Sequence, residues 1–197
     1  MTTPESDLGP VGGREIVVGV TGGIAAYKTA HLVSRLVQAG AGVTVVMTEA
    51  AKRFVAPLVF QTLSGRPVYA DLFASSEAAR AEHIRLADRA EIVVVAPATA
   101  NILAKLAHGV ADDLLSTFLL ASDAPLVMAP AMNVRMWEHP AVAANCEVVR
   151  SRGVRLVGPV EGHLACGTVA MGRMAEAEDI LTALAEVAAD TPPHHEK

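Results

Sequence analysis

The chain alternates short, β-branched apolar runs with longer stretches in which apolar positions recur every three or four residues. Residues 16–20, 43–47, 92–95, 126–129 and 154–157 are runs of the first kind, short enough for strands and rich in Val and Ile. Residues 24–38 have helical periodicity, with Ala25, Leu32, Val33, Leu36 and Val37 available for burial and Gly40 as a stop. Residues 49–63 predict a helix interrupted at Pro57. Further helices are expected over 101–108, 113–122 and 179–188, and a helical stretch that carries Cys146 follows Pro140.

Strands separated by such helices imply βαβ units with right-handed crossovers, hence an α/β fold built on a doubly wound parallel sheet. A single domain is expected over 15–189, with 1–14 as a flexible lead-in and 190–197 as a disordered tail. Residues 158–174 stand apart. They are Gly-rich, show neither helical nor strand period, and read as a long loop of the kind that carries function.

Composition fits this picture. The hydrophobic fraction is 52%, and strands covered on both faces raise it in any parallel sheet. No apolar run approaches the ~20 residues that cross a bilayer, so no membrane segment is expected. The first residues lack the basic start and apolar stretch of a secretory signal, which points to the cytoplasm. A net charge of −5 argues against nucleic-acid binding. The two cysteines, Cys146 and Cys166, are too few for a disulfide framework and neither lies in a CxxC pair. His31, His108, His139, His163, His194 and His195 show no metal-ligand spacing, so no metal is expected.

Ligands of open α/β sheets bind beyond the carboxyl ends of the strands, and each motif falls at such an end. After the first strand comes Gly19-Val20-Thr21-Gly22-Gly23-Ile24, where glycines let the backbone approach a phosphate at a helix N-terminus. It matches neither GxGxxG nor a Walker loop, and a plain tight turn is the alternative. Thr48 follows the second strand, as a phosphate contact or a helix cap. Ala96-Pro97-Ala98-Thr99-Ala100-Asn101 closes the third clear strand with small residues that leave room for a flat ring, though Thr99 also suits a cap. Asp112 and Asp113 precede an apolar run, as ligands or as cap and first-turn acid. After residues 126–129 comes Pro130-Ala131-Met132-Asn133-Val134-Arg135-Met136-Trp137, an amide for a carboxylate on an apolar wall, or else core.

Taken together, GVTGGIAAYK at 19–28, HIRL at 83–86, APATAN at 96–101, GVADDLLST at 109–117, PAMNVRMW at 130–137 and the loop around Cys166 resemble the homo-oligomeric flavin-containing cysteine decarboxylases. The resemblance covers 15–188, and PxMNxxMW is its most diagnostic piece. It implies a Rossmann/flavodoxin-like fold and FMN bound between the subunits of a trimer, which in some members assembles further into a dodecamer. Gly22, Gly23, Ile24 and Thr48 would hold the phosphate side of FMN. Thr99, Ala100, Asn101 and Ile102 would line the flavin, with Asp113 nearby. His83 would be the catalytic histidine, Asn133 the carboxylate-binding residue and Cys166 a late-acting thiol. Met132, Met136, Ala165, Gly167 and Arg173 would contact substrate.

The resemblance further implies a small substrate, phosphopantothenoylcysteine, as in coenzyme A biosynthesis. Its CH2–SH group is oxidised to a thioaldehyde with hydride passing to FMN, CO2 is lost, and the enethiol is reduced again. In that scheme His83 acts as base, imidazole being the commonest general base. Cys166 acts as acid, because an ordinary thiol is mostly protonated at neutral pH. The loop around Cys166 resembles a substrate clamp of pattern ACGDxGxGRM, with Thr168 where Asp is usual and Ala170 where Gly is usual. Three other readings compete. An oxidative peptidyl-cysteine decarboxylase would not need Cys166. A flavin prenyltransferase would not need Asn133 and Cys166 in these motifs. A non-enzymatic, phosphatase-inhibiting relative would carry a long acidic extension.

Overall fold

The computed structural model describes residues 9–72, 82–163 and 169–192. Six parallel strands form one sheet: β1 (Glu15–Val20), β2 (Gly42–Met47), β3 (Val68–Tyr69), β4 (Ile92–Ala98), β5 (Leu126–Pro130) and β6 (Arg155–Leu156). Their spatial order is β3-β2-β1-β4-β5-β6, so the chain winds outward one way from β1 and then returns to start the other half beside it. The predicted doubly wound sheet is the observed fold.

The apolar runs are continuous because successive residues enter opposite cores. Ile16, Val18 and Val20 of β1 face one cluster, together with Leu32, Leu36, Phe60, Ile180 and Leu184 of the helices covering that side. Val17 of β1 faces the other, with Ile102, Leu115, Phe118 and Val149. The first layer consists of α1 (Ala26–Gln38), α2 (Pro57–Ser64) and α8 (Ala177–Asp190). The second consists of α3 (Glu82–Arg89), α4 (Ala100–His108), α5 (Leu114–Ala121) and α7 (Pro140–Ser151). A single turn, α6 (Val134–Trp137), joins β5 to α7. Each fully buried Leu or Ile in these layers contributes ~1.5–3 kcal/mol. Cys146 lies within α7 and is buried, as its place on an apolar helix face required. Among the described residues no helix is long and apolar enough to cross a membrane.

Several sequence expectations change. The lead-in is packed from residue 9 onward: Gly9–Val11 forms a 3-10 turn, Val11 is fully buried, and Arg14 pairs with Glu91 at 3.1 Å. The tail is likewise engaged through Thr191, whose carbonyl accepts from Arg14 at 2.6 Å. The break at Pro57 is real, with Ala51–Arg53 as a separate 3-10 turn and Pro57 opening α2. Residues 158–174 are not an irregular loop throughout. Val160–His163 (β7) and Val169–Arg173 (β8) pair antiparallel in a separate two-stranded sheet. Because this hairpin pairs only with itself, its strands need no continuous apolar face, and its glycines and charges hid it from a periodicity reading.

Candidate active site

The winding direction reverses between β1 and β4, which opens a crevice past their carboxyl ends. A cavity of about 760 Å³ lies there. Four segments line it: residues 22–25 with Tyr27 and Lys28, then Thr99 and Ala100, then residues 131–133 with Met136, and finally Gly172, Arg173 and Met174. Its volume is in the ordinary range for a cofactor or small-molecule site.

The first wall follows from local backbone chemistry. Helix α1 opens at Ala25 without a side-chain cap, although the Gly23, Ala26 and Lys28 amides donate to the Thr21, Gly23 and Ala25 carbonyls at 2.9, 2.9 and 3.0 Å. A side chain at Gly22 would run into Ala50 in the segment after β2. The turn therefore needs glycine to pack so close, and the bare backbone forms a cradle suited to an anion. Thr21 fixes this cradle to the next strand: its buried hydroxyl donates to the Pro97 carbonyl at 2.6 Å and accepts from the Thr99 amide at 3.3 Å. Thr29, one turn into α1, donates to the Ala96 carbonyl at 2.7 Å. These two threonines were not among the candidates. Their signal is that both are hydroxyls at otherwise apolar, buried positions beside the motif.

Thr99 stands both at the cavity and at the start of α4. It lines the cavity, and its side chain accepts from the Ile102 amide at the start of α4. Ala100 also lines the cavity, but Asn101 is exposed and Ile102 is buried in the second core; neither is a lining residue. Thr48 caps instead: its hydroxyl accepts from the Ala51 amide at 3.2 Å, away from the cavity lining. Asp113 is the N-cap of α5, accepting from the Ser116 amide at 2.7 Å. Lys105 reaches Asp112 at 2.5 Å and Asp113 at 2.6 Å. Burial pulls the Lys105 ammonium down, but its hydrogen bonds to the two aspartates outweigh that and hold its pKa above the usual lysine range. Asp112 is held below the usual carboxylate range by the same lysine. Neither aspartate lines this chain's cavity.

The second wall is the turn after β5. Asn133 caps α6, its side-chain oxygen accepting from the Arg135 amide at 2.9 Å, which leaves the amide group anchored at the cavity edge. Met132 and Met136 flank it as lining residues. Trp137 packs against the second core instead. The third wall is β8. The Gly172 carbonyl accepts from the Met132 amide at 2.9 Å, which fastens the hairpin to the Asn133 turn. Arg173 lines the cavity and pairs with Glu176 at 2.9 Å.

His83 sits on α3, half-buried, and is not a lining residue of this cavity. Its Nδ1 is buried without a hydrogen-bond partner. Cys166, Ala165 and Gly167 lie outside the described residues, as does Thr168. Of the strands on either side of them, β8 lines the cavity through Gly172 and Arg173, and β7 pairs with it.

A doubly wound sheet with a glycine cradle at its switch point, opposite an amide on an apolar wall, defines a phosphate-and-ring binding protein. Residues 5–189 match the Flavoprotein family model, and the chain belongs to that family. It is 52% identical over 168 residues to the coenzyme A biosynthesis bifunctional protein CoaBC of Bacillus subtilis, which covers 85% of this chain and 41% of that protein. The chain thus spans about two fifths of the length of the curated relatives it matches. Among solved structures, a PPC decarboxylase variant complexed with pantothenoylaminoethenethiol superposes with a TM-score of 0.79 at 29% identity, over 87% of this chain and 96% of that one. The FMN-dependent cysteine decarboxylase SpaF superposes with a TM-score of 0.76 at 34% identity, over 89% and 97%.

Proposed function

We propose that this chain is an FMN-dependent decarboxylase that converts 4'-phosphopantothenoyl-cysteine to 4'-phosphopantetheine in coenzyme A biosynthesis. One observation carries the reading: a single cavity joins an uncapped, glycine-cradled helix start to the Asn133 amide on a wall of Met132 and Met136. The first end suits the phosphate and ring of a flavin mononucleotide, and the second suits a carboxylate. The names of the similar proteins support the same chemistry.

A cysteine carboxylate does not lose CO2 readily, because the carbanion left behind has no electron sink. When bound, FMN supplies a reversible hydride acceptor that creates one. The residues of the chain do the rest. Asn133 holds the carboxylate by hydrogen bonds without a cation that would stabilise it against leaving. His83 takes the proton from the substrate thiol as hydride departs from the adjacent carbon, giving a thioaldehyde. Loss of CO2 leaves an enethiolate; Cys166 would protonate its carbon and the proton held by His83 would return to the sulfur, so that with FMN as the reversible hydride store the product is the saturated thiol.

His83 is not among the residues that line this chain's cavity, while Ile24 and Tyr27 line it and stand 61% and 62% exposed. Both features fit a trimer in which a neighbouring copy covers the mouth and contributes its histidine. The substrate and product are soluble metabolites, consistent with work in the cytoplasm and with no nucleic-acid or membrane partner. Anaerobic mixing of the FMN-loaded protein with 4'-phosphopantothenoyl-cysteine tests the reading. Transient loss of flavin absorbance with release of CO2 is expected; an unchanged spectrum and no CO2 would overturn it.

A further inference from the structure

Two cations, Lys28 and Arg173, line the cavity beside the glycine cradle and the Asn133 turn. Lys28, in the first turn of α1, points its ammonium at Glu176 Oε1 from 2.9 Å and at the Met174 carbonyl from 3.4 Å. Arg173 reaches the same Glu176 oxygen from 2.9 Å. One carboxylate oxygen is therefore shared by two cations, and Lys28 and Arg173 both line the cavity while Glu176 does not. The Lys28 side chain is only 15% exposed, so it is set into the wall and not waving in solvent. The hydrogen bond from Lys28 holds the Glu176 carboxyl below the usual range, so at neutral pH the trio carries one net positive charge.

Donors remain to be met here. An ammonium has three protons, and the two contacts of Lys28 leave one. Beyond its contact with Glu176, the Arg173 side chain is still 40% exposed, so guanidinium protons remain open to an incoming acceptor. A lysine proton and a guanidinium, held beside each other by one carboxylate, match a phosphate monoester better than a neutral group.

We propose that Lys28 and Arg173 form an anion subsite that grips the phosphate of the substrate at the end remote from its reacting carboxylate. Glu176 is the positioning residue that keeps the two cations together. The subsite makes the enzyme selective for a phosphorylated small molecule over its dephosphorylated form or a peptide C-terminus. The inference rests on the decarboxylase reading for the identity of the substrate, but not for its test. A phosphate monoester is also present on FMN, and the experiment separates the two sources.

Calorimetric titration of the FMN-loaded protein with 4'-phosphopantothenate and with pantothenate reads the subsite without any turnover. The phosphorylated ligand binds more tightly, and in Lys28→Gln and Arg173→Gln that preference falls roughly tenfold to hundredfold, as expected for hydrogen bonds to a charged group. Lys28→Arg restores part of it. Flavin affinity, followed by absorbance and fluorescence, stays within a few-fold of the unaltered protein. Equal affinity for the two ligands in the unaltered protein would overturn the proposal. So would a preference that survives in both variants, as expected if the trio only fastens α1 to α8. Loss of FMN with the preference intact would assign the cations to the cofactor, which also overturns it. Absence of CO2 release would sink the decarboxylase reading alone, because the binding preference is measured separately.

Discussion

The Gly172 carbonyl accepts a hydrogen bond from the Met132 amide at 2.9 Å, with Gly172 at φ +141°. This contact joins the hairpin to the turn that presents Asn133, so two walls of the cavity are hydrogen-bonded to each other. A Cβ on residue 172 would be driven into the Met132 carbonyl oxygen, in a backbone region that only glycine adopts without strain. Gly172→Ala is expected to cost ~1–3 kcal/mol of stability and to lower kcat/KM. Urea denaturation and a CO2-release assay measure the two effects. Unchanged stability and turnover would show that the hairpin is not fastened there.

Asn133→Asp separates charge from fold. Aspartate caps a helix as well as asparagine does, so α6 keeps its bond to the Arg135 amide. The added charge repels the substrate carboxylate. Turnover should be lost while FMN content and melting temperature hold, as read by absorbance and thermal denaturation. Retained turnover would remove Asn133 from carboxylate recognition.

Gly22→Val probes the phosphate cradle. The new side chain collides with Ala50 and fills the space in front of the uncapped start of α1. FMN affinity is expected to drop at least tenfold, about 1.4 kcal/mol, as measured by flavin fluorescence titration. Wild-type affinity in a folded variant would move the phosphate elsewhere.

The opposite end of the sheet should affect stability alone. Arg14 and Glu91 form a pair whose side chains are only 10% and 8% exposed, and Glu91 also accepts from the Glu15 amide at 2.8 Å. Glu91→Ala strands a buried guanidinium and should cost about 3–5 kcal/mol, measured by urea denaturation. FMN bound per folded molecule should not change, because the pair stands at the amino ends of the strands.

The central strands were legible in the sequence because burial on both faces demands unbroken Val and Ile runs, as in β1, β2 and β4. The two-residue edge strand β3 leaves no such trace. The cradle at Gly22 and Gly23 and the amide at Asn133 were readable because their motifs sit where strands end. Asp113 caps α5, and the Thr48 hydroxyl accepts from the Ala51 amide, local contacts that their positions ahead of helical turns made readable. Lys28 was invisible as a site residue. A lysine in the first turn of an amphipathic helix reads as solvated, and its partner Glu176 lies 148 residues away. The partnership exists only because α8 and β8 return to the mouth of the β1 crevice.

A redox-neutral decarboxylation is tested most directly by the mass of its product. The FMN-loaded protein is incubated anaerobically with 4'-phosphopantothenoyl-cysteine, and the product is analysed by mass spectrometry. The expected mass is that of the substrate less one CO2, the saturated 4'-phosphopantetheine, with Cys166→Ser accumulating a species lighter by two hydrogens. If the unaltered protein itself releases the lighter enethiol as its end product, or leaves the substrate mass unchanged, the account is contradicted.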